Sequence, residues 1–474
     1  MTRTSRADAL KPAKPRDLCR VLVLRRDGSE LLLRKTGEHL SFPTIAIPRW
    51  ERPAENINAA VRSFFGVSAH CLFSPKISSP ALLLGDHVPF YQVMEADTDT
   101  IAEPAGMIWA PETLLSENAF VHQNDIIALA SARQELASHQ NGSAGNSLGR
   151  PGWLRDLLSW VERKIAPLGL HLKGTVRQLN SGTGFALLRL ETDGAAVWFK
   201  ATGAPNRHER AVSVELAKLF PDYVPWVIAV HDAWNGWLTL EAEGLLLESD
   251  SHPSAWHLAA ETLAKLQIAS VGMALRLIET GCKDARICRL EPQIEPFLEA
   301  MAELMARQTK VPPYPLDRSE LSVLGERIRW LCHEADELAV PDTLGHFDVN
   351  PGNIVTTRNS CIFLDWAEGC VGHPFVTFEY LRSHFRRTSG IDDEAGLFAA
   401  YLERWEHFMG AETVAQAQRL APLLAVYTLA VADIAWQDVD KISNPITAVY
   451  LRSLTRRMSH EATHLNGWRL QCKH

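Results

Sequence analysis

The chain has 474 residues, 46% apolar and 22% charged, enough to bury large cores and to build two or three domains. Its formal charge of −8 and pI near 6.1 exclude general nucleic-acid binding as the main role, because that binding needs basic patches to displace counterions. The eight cysteines include no Cys-x-x-Cys pair and no zinc-spaced cluster with His, so free thiols in a reducing cytoplasm are expected.

Residues 1–17 carry Arg, Lys and Pro without an apolar core behind them, which predicts a mobile tail rather than a signal peptide. Val21–Leu24 and Leu31–Leu33 flank Arg26-Asp27-Gly28-Ser29, a hairpin signal. Ala54 to Phe65 has helical character, and Ala81–Leu84 and Phe90–Met94 read as further strands. The order of hairpin, Leu40-Ser41-Phe42-Pro43, helix and Gly66-Val67 resembles the Nudix hydrolase fold. That family holds its metal with several Glu on the helix. From Asn56 through Gly85 this chain has no Asp or Glu, so the resemblance implies an α/β domain over 18–137 that no longer hydrolyses diphosphates.

Ser138 to Gly152 is rich in turn formers and nearly devoid of apolar side chains, which predicts a flexible linker over 138–152. Trp153 to Val161 then has helical spacing. Strands are expected at Leu172–Leu179 and Phe185–Leu190 around the turn Asn180-Ser181-Gly182-Thr183-Gly184. A third, Ala196–Phe199, ends at Lys200. A helix from about Arg207 to Phe220 offers Glu209 and Glu215, and Glu241-Ala242-Glu243-Gly244 comes after the strand Trp237–Leu240. Trp234 and Trp237 are expected to pack.

Gly345-His346-Phe347-Asp348-Val349-Asn350-Pro351-Gly352-Asn353 comes next, with Asp365 closing the apolar run Ile362–Leu364. An Asp, an Asn five residues on and a second Asp after a hairpin is the residue order that phosphoryl transfer from a magnesium nucleotide requires. One carboxylate addresses the acceptor hydroxyl. The Asn and second Asp offer hard oxygen ligands to an octahedral cation that keeps its waters. Farther on, Arg382-Ser383-His384-Phe385-Arg386-Arg387 reads as a solvated helix face or as a contact for an anionic substrate. The acids Asp392-Asp393-Glu394 read as a helix N-terminus. Leu420 to Ala432, interrupted by Pro422 and closed by Asp433, reads as a buried helix too short for a bilayer, so no membrane partner is expected.

His346, Asp348, Asn353 and Asp365 resemble the His-x-Asp-x-x-x-x-Asn and downstream Asp of the aminoglycoside phosphotransferase-like branch of the protein-kinase-like fold. The resemblance covers about 153–474. It implies an α+β, two-lobed kinase-like fold behind the α/β Nudix-like domain, with a β-rich N-lobe over 153–243 and a helical C-lobe with the acceptor site over 244–474. It implies ATP and Mg²⁺ as cofactors and the hydroxyl of a small molecule as acceptor. In the catalytic set, Asp348 orients and deprotonates that hydroxyl while His346 supports the loop. Asn353 and Asp365 hold magnesium, and Lys200 meets phosphates with Glu209, or alternatively Glu215, as its ion-pair partner. Ser181, Gly182 and Gly184 cover phosphates, and Glu241 and Ala242 pair with an adenine edge. Members of the family bind cationic antibiotics in a region near Asp392-Asp393-Glu394. The family carries Gly where this chain has Phe347, beside the catalytic Asp, which bears on acceptor geometry. The competing reading is a nucleotide-binding pseudokinase with a regulatory role. A weaker one is a hydrolase using carboxylates outside the N-terminal helix.

Overall fold

The computed structural model describes residues 15–26, 28–49, 52–77, 90–98, 102–111, 119–140, 147–432 and 434–465. The strand expected at Ala81–Leu84 lies outside them. The chain forms two compact units: Met1–Arg210 with Val227–Glu241, and Ala211–Trp226 with Ala242–His474.

The first unit opens with β1 (Arg16–Leu24), β2 (Glu30–Thr36), β3 (His39–Ser41), β4 (Thr44–Pro48), α1 (Pro53–Phe65), β5 (Ala69–Phe73), β6 (Phe90–Ala96), β7 (Met107–Pro111) and α2 (Gln123–Gln140). These strands make a seven-stranded mixed sheet of order β3-β2-β1-β6-β5, with β4 on β1 and β7 on β2. The β1–β6 pair is parallel. Strand alternation divides β1 between two cores. Cys19, Val21 and Val23 pack with Ala54, Ile57 and Val61 of α1, and Leu22 and Leu24 with Ala128, Leu129 and Ala132 of α2. One helix therefore covers each face. Helix α1 starts on a proline, whose missing N–H costs nothing there, and stops at Gly66, which takes the left-handed φ of 67°.

The same unit continues with α3 (Trp153–Ile165), β8 (Leu172–Gly182), β9 (Phe185–Thr192), β10 (Val197–Ala201), the start of α4 (Glu209–Leu219), β11 (Val227–His231) and β12 (Gly236–Leu240). The strands form an antiparallel sheet of order β11-β12-β10-β9-β8. Trp153, Leu157, Val161 and Ile165 of α3 are buried with Leu188, Leu190, Val197 and Phe199, and that core runs on without a break into Leu22, Leu24 and Phe73. Of the linker expected at 138–152, residues 141–146 lie outside the described residues. Helix α2 extends to Gln140, and Leu148, 2% exposed, belongs to the shared core.

The second unit holds β13 (Leu245–Leu246), α5 (Pro253–Ala269), α6 (Ala274–Thr280), β14 (Lys283–Ala285), α7 (Ile287–Leu290), α8 (Ile294–Ala306), α9 (Arg318–Glu337), β15 (Thr343–His346), β16 (Ile354–Thr356), β17 (Cys361–Phe363), β18 (Gly369–Gly372), α10 (Pro374–His384), α11 (Glu394–Met409), α12 (Ala411–Ala432), α13 (Val439–Ser443) and α14 (Pro445–Thr463). Two three-stranded sheets, β13-β16-β17 and β14-β18-β15, carry the loops of interest. One core joins them to α5, α10 and α11, and another packs α8, α9, α12 and α14. Helix α12 is longer than the stretch expected from 420 onward. By length and composition its 22 residues could cross a membrane, but 67% of its apolar window is buried inside the structure.

Candidate active site

In the second unit the site is built from the loop after β15. Gly345 lets that strand lie against its neighbours: a Cβ there would stand 2.7 Å from Thr377 Oγ1 and 2.8 Å from Cys370 Sγ. The next residue, His346, is buried, and the Asp348 N–H donates to its Nδ1 at 3.0 Å. Nδ1 is thus the acceptor nitrogen, and Nε2–H donates to Leu364 O at 3.0 Å. Burial pushes the ring's pKa down, in keeping with a neutral imidazole. Both ring nitrogens are thus occupied within the loop and its neighbouring strand.

Asp348 is exposed and held at both oxygens. Asn350 Nδ2 donates to Oδ1 at 2.8 Å, and Asn353 Nδ2 to Oδ2 at 3.1 Å and to the Asp348 carbonyl at 3.0 Å. Asn350 also accepts from the Gly352 N–H at 2.9 Å, which closes an Asx turn. A side chain on Gly352 would press within 3.0 Å of Asn350 Oδ1 and 3.2 Å of Glu248 Oε2. Sequence reasoning gave Asn350 no role and missed its grip on Asp348. Its position before Pro-Gly was the available signal.

Asn353 leads into β16, and the Leu364 N–H donates to the Asn353 carbonyl at 2.8 Å. That bond brings Asn353 beside the exposed Asp365. Asp365 has φ 62° and ψ 61°, a left-handed conformation uncommon outside glycine, and such strain recurs where a side chain must be aimed. With its amide nitrogen turned to Asp348, Asn353 turns its Oδ1 away from that residue. Asn353 Oδ1 and the Asp365 carboxylate are oxygens of the hard kind that magnesium takes. Among the described residues no group of three or more His, Cys, Asp or Glu is placed to hold a metal by itself.

Phe347 lies between α10 and β14, its ring 6.1 Å from Tyr380 and 5.9 Å from Lys283 Nζ. Lys283 is paired with Glu368 at 2.5 Å, a contact sequence reasoning did not find. In the basic run at the end of α10 and in the turn after it, two arginines are paired with acids. Arg382 pairs with Glu379 and Glu394, and Arg386 with Glu394. Asp393 caps α11 by accepting from the Gly396 N–H at 3.0 Å, as a helix N-terminus would have it.

In the first unit, Lys200 on β10 reaches Glu209 Oε1 at 2.5 Å, at the first residue of α4. Glu215 lies elsewhere, paired with Arg276 and Lys218. Ser181 and Gly182 end β8, and Gly184 precedes β9, its Cα 3.5 Å from where a Gly203 Cβ would stand. The Glu241 N–H donates to Ala196 O at 2.9 Å, and its carboxylate takes Arg189 at 2.6 Å and Trp198 Nε1 at 2.9 Å. The N–H of Glu241 is therefore already engaged, and Ala242 begins the second unit. At Gly244 only glycine fits: φ is 145°, and a Cβ would lie 2.1 Å from Thr356 O.

A model of the phosphotransferase enzyme family, APH, matches residues 175–412, half of the chain, and the chain belongs to that family. Among solved structures it is similar to macrolide 2′-phosphotransferase from Brachybacterium faecium, at 17% identity over 65% of this chain and 98% of that one, with a TM-score of 0.38. It is similar also to choline kinase from Cryptosporidium parvum Iowa II, at 12% identity over 66% and 95%, with a TM-score of 0.44. No curated protein matches the chain.

Proposed function

We propose that this protein is an ATP- and Mg²⁺-dependent phosphotransferase that delivers the γ-phosphoryl group to a hydroxyl of a small molecule. The observation that carries the reading is the Asp348 carboxylate, exposed yet held at both oxygens by Asn350 and Asn353. A carboxylate fixed in this way accepts the proton of an acceptor hydroxyl without having to be reordered first. Asn353 and Asp365 are the residues that would hold magnesium, which supplies positive charge to phosphoryl oxygens when bound. Lys200, oriented by Glu209, supplies a second positive charge, and the Ser181–Gly184 turn supplies backbone N–H groups. The Glu241 carbonyl and the main chain of Ala242 are the groups left to meet a base edge.

The N-terminal domain, a mixed sheet with a helix on each face, is read as Nudix-like and non-hydrolytic. Glu55, the one acid on α1, is bound to Arg177 at 2.6 Å. Buried Glu95 takes the Gly152 N–H at 2.7 Å, and buried Asp125 takes Arg20 and Tyr91. A cytoplasmic setting fits the free thiol state of every cysteine among the described residues.

The test is Mg²⁺-dependent ATP turnover against hydroxylated amines, sugars and aminoglycosides, run beside Asp348→Asn. Acceptor-stimulated turnover that disappears in the variant supports the reading. Tight nucleotide binding without transfer to any acceptor favours a pseudokinase, and absence of nucleotide binding overturns both.

A further inference from the structure

The turn read as covering phosphates is held from outside its own hairpin, by residues of the N-terminal domain. Both strands that meet there are edge strands: β5 ends the first sheet and β8 ends the second. An edge strand exposes unpaired N–H and C=O groups, and here one side chain meets those of Cys71. Gln178 accepts from the Cys71 N–H at 2.8 Å and donates to the Cys71 carbonyl at 2.8 Å, so its primary amide stands in for a neighbouring strand. Asn58 Nδ2, on α1, donates to the same Gln178 oxygen at 3.1 Å. Gln178 is 2% exposed, and Arg177 beside it is bound to Glu55.

The contact falls where the backbone changes direction. The β8–β9 register shifts between Gln178 and Asn180, and the β5–β6 register shifts between Cys71 and Phe73. A bulge bends its strand and re-aims the residues beyond it. Beyond Gln178 lies the Ser181–Gly184 turn. Its apex is tied again: Thr183 O accepts from the Leu148 N–H at 3.1 Å and from Ser147 Oγ at 3.3 Å. A side chain at Gly149 would meet both Thr183 Cγ2 and Phe73 Cδ1 at 3.1 Å, so this approach is close. Burial pushes the Cys71 thiol up, and a hydrogen bond from Ser181 works against that shift.

We propose that Gln178 is a positioning residue for the Ser181–Gly184 loop, and that the N-terminal domain, through Cys71 and Asn58 and together with the Ser147–Leu148 segment that follows it, is a working part of the nucleotide site. The assignment to nucleotide rests on the proposed function, in which that loop covers phosphates. The clamp itself does not. A non-hydrolytic domain then has a function in this chain: it sets the conformation in which the loop waits for phosphate.

The experiment uses the full chain and Gln178→Leu, with Gln178→Glu as the milder variant that keeps an acceptor for the Cys71 N–H. Amide hydrogen exchange is first measured without nucleotide. Loss of both bonds is expected to speed exchange at residues 180–186 about tenfold, with 187–190 and 197–201 unchanged. Gln178→Glu is expected to fall between. In turnover assays the nucleotide KM rises about tenfold while kcat stays within about twofold, as for an interaction made equally in ground and transition states. Unchanged exchange at 180–186, or exchange that rises uniformly across the unit, overturns the clamp. Faster local exchange with an unmoved nucleotide KM keeps the clamp and overturns the phosphate-loop reading instead.

Discussion

Lys200 Nζ stands 2.5 Å from Glu209 Oε1, with the glutamate side chain 1% exposed and the lysine 14%. Removing one partner of such a pair strands the other's charge in a poorly solvated place, at roughly 3–5 kcal/mol. Glu215, exchanging ion pairs with exposed Arg276 and Lys218, sits where such pairs contribute about 0–1 kcal/mol. Glu209→Gln is therefore expected to raise the nucleotide KM and lower kcat/KM by about tenfold or more, whereas Glu215→Gln leaves both near wild type. Steady-state kinetics on the two variants separates the residues.

Asn350 holds one oxygen of Asp348 and closes the turn that carries it. Asn350→Ala is expected to reduce kcat by roughly tenfold through misplacement of the carboxylate, with nucleotide KM unchanged. Asp348→Asn removes the proton acceptor itself and is expected to cost about 10²–10⁴ in kcat. Equal losses in the two variants would contradict a positioning role for Asn350.

Buried His373 has its pKa pushed down to about 4 by desolvation. A histidine kept neutral when folded binds fewer protons than in the unfolded chain, so its contribution to stability is complete above about pH 6.5 and is lost as pH falls toward 4. The melting temperature should decline over that window. His373→Leu should flatten this part of the profile in thermal denaturation between pH 4 and 7.

Two glycines test close packing. Gly345→Ala places a methyl against Thr377 Oγ1 and Cys370 Sγ, side chains with some freedom to give, at a cost of about 1–3 kcal/mol. Gly244→Ala meets the Thr356 carbonyl, part of a strand, and adds backbone strain at φ 145°. Gly244→Ala should be the more destabilising in denaturant titration.

With two side-chain oxygen ligands proposed for magnesium, the metal is expected to bind with the nucleotide rather than to hold the fold. EDTA should abolish turnover while leaving the melting temperature of the nucleotide-free protein unmoved. A fall in that temperature would point to a metal bound by the chain alone.

The grouping of the residues around Asp348 was legible in the sequence because it is local. His346, Asp348, Asn350 and Asn353 share one loop, and a short hairpin returns the chain to Asp365, so spacing along the chain nearly equals arrangement in space. Asn350 escaped notice because an Asx turn and a carboxylate clamp have the same local signature. Element types were legible for the same reason: alternation in β1 and helical spacing in α1 and α3 are set within a few residues. The strand expected at Ala81–Leu84 is left open by the described residues.

Short-range chemistry is thus written along the chain: the loop bearing Asp348, the hairpin to Asp365, the Gly-rich turn and the strand ending near Lys200. Glu209 was the partner expected for Lys200, with Glu215 as the alternative, and packing brings Glu209 to it, since both acids lie on one helix and packing selects the face. Packing also joined Gln178 to Cys71, 107 residues apart, and brought Leu148 and Trp153 into one core. A bond of that span leaves no periodicity to read. Two sheet edges meet where burial and unpaired backbone groups require a partner, and which side chain supplies it is settled only when the whole chain is packed.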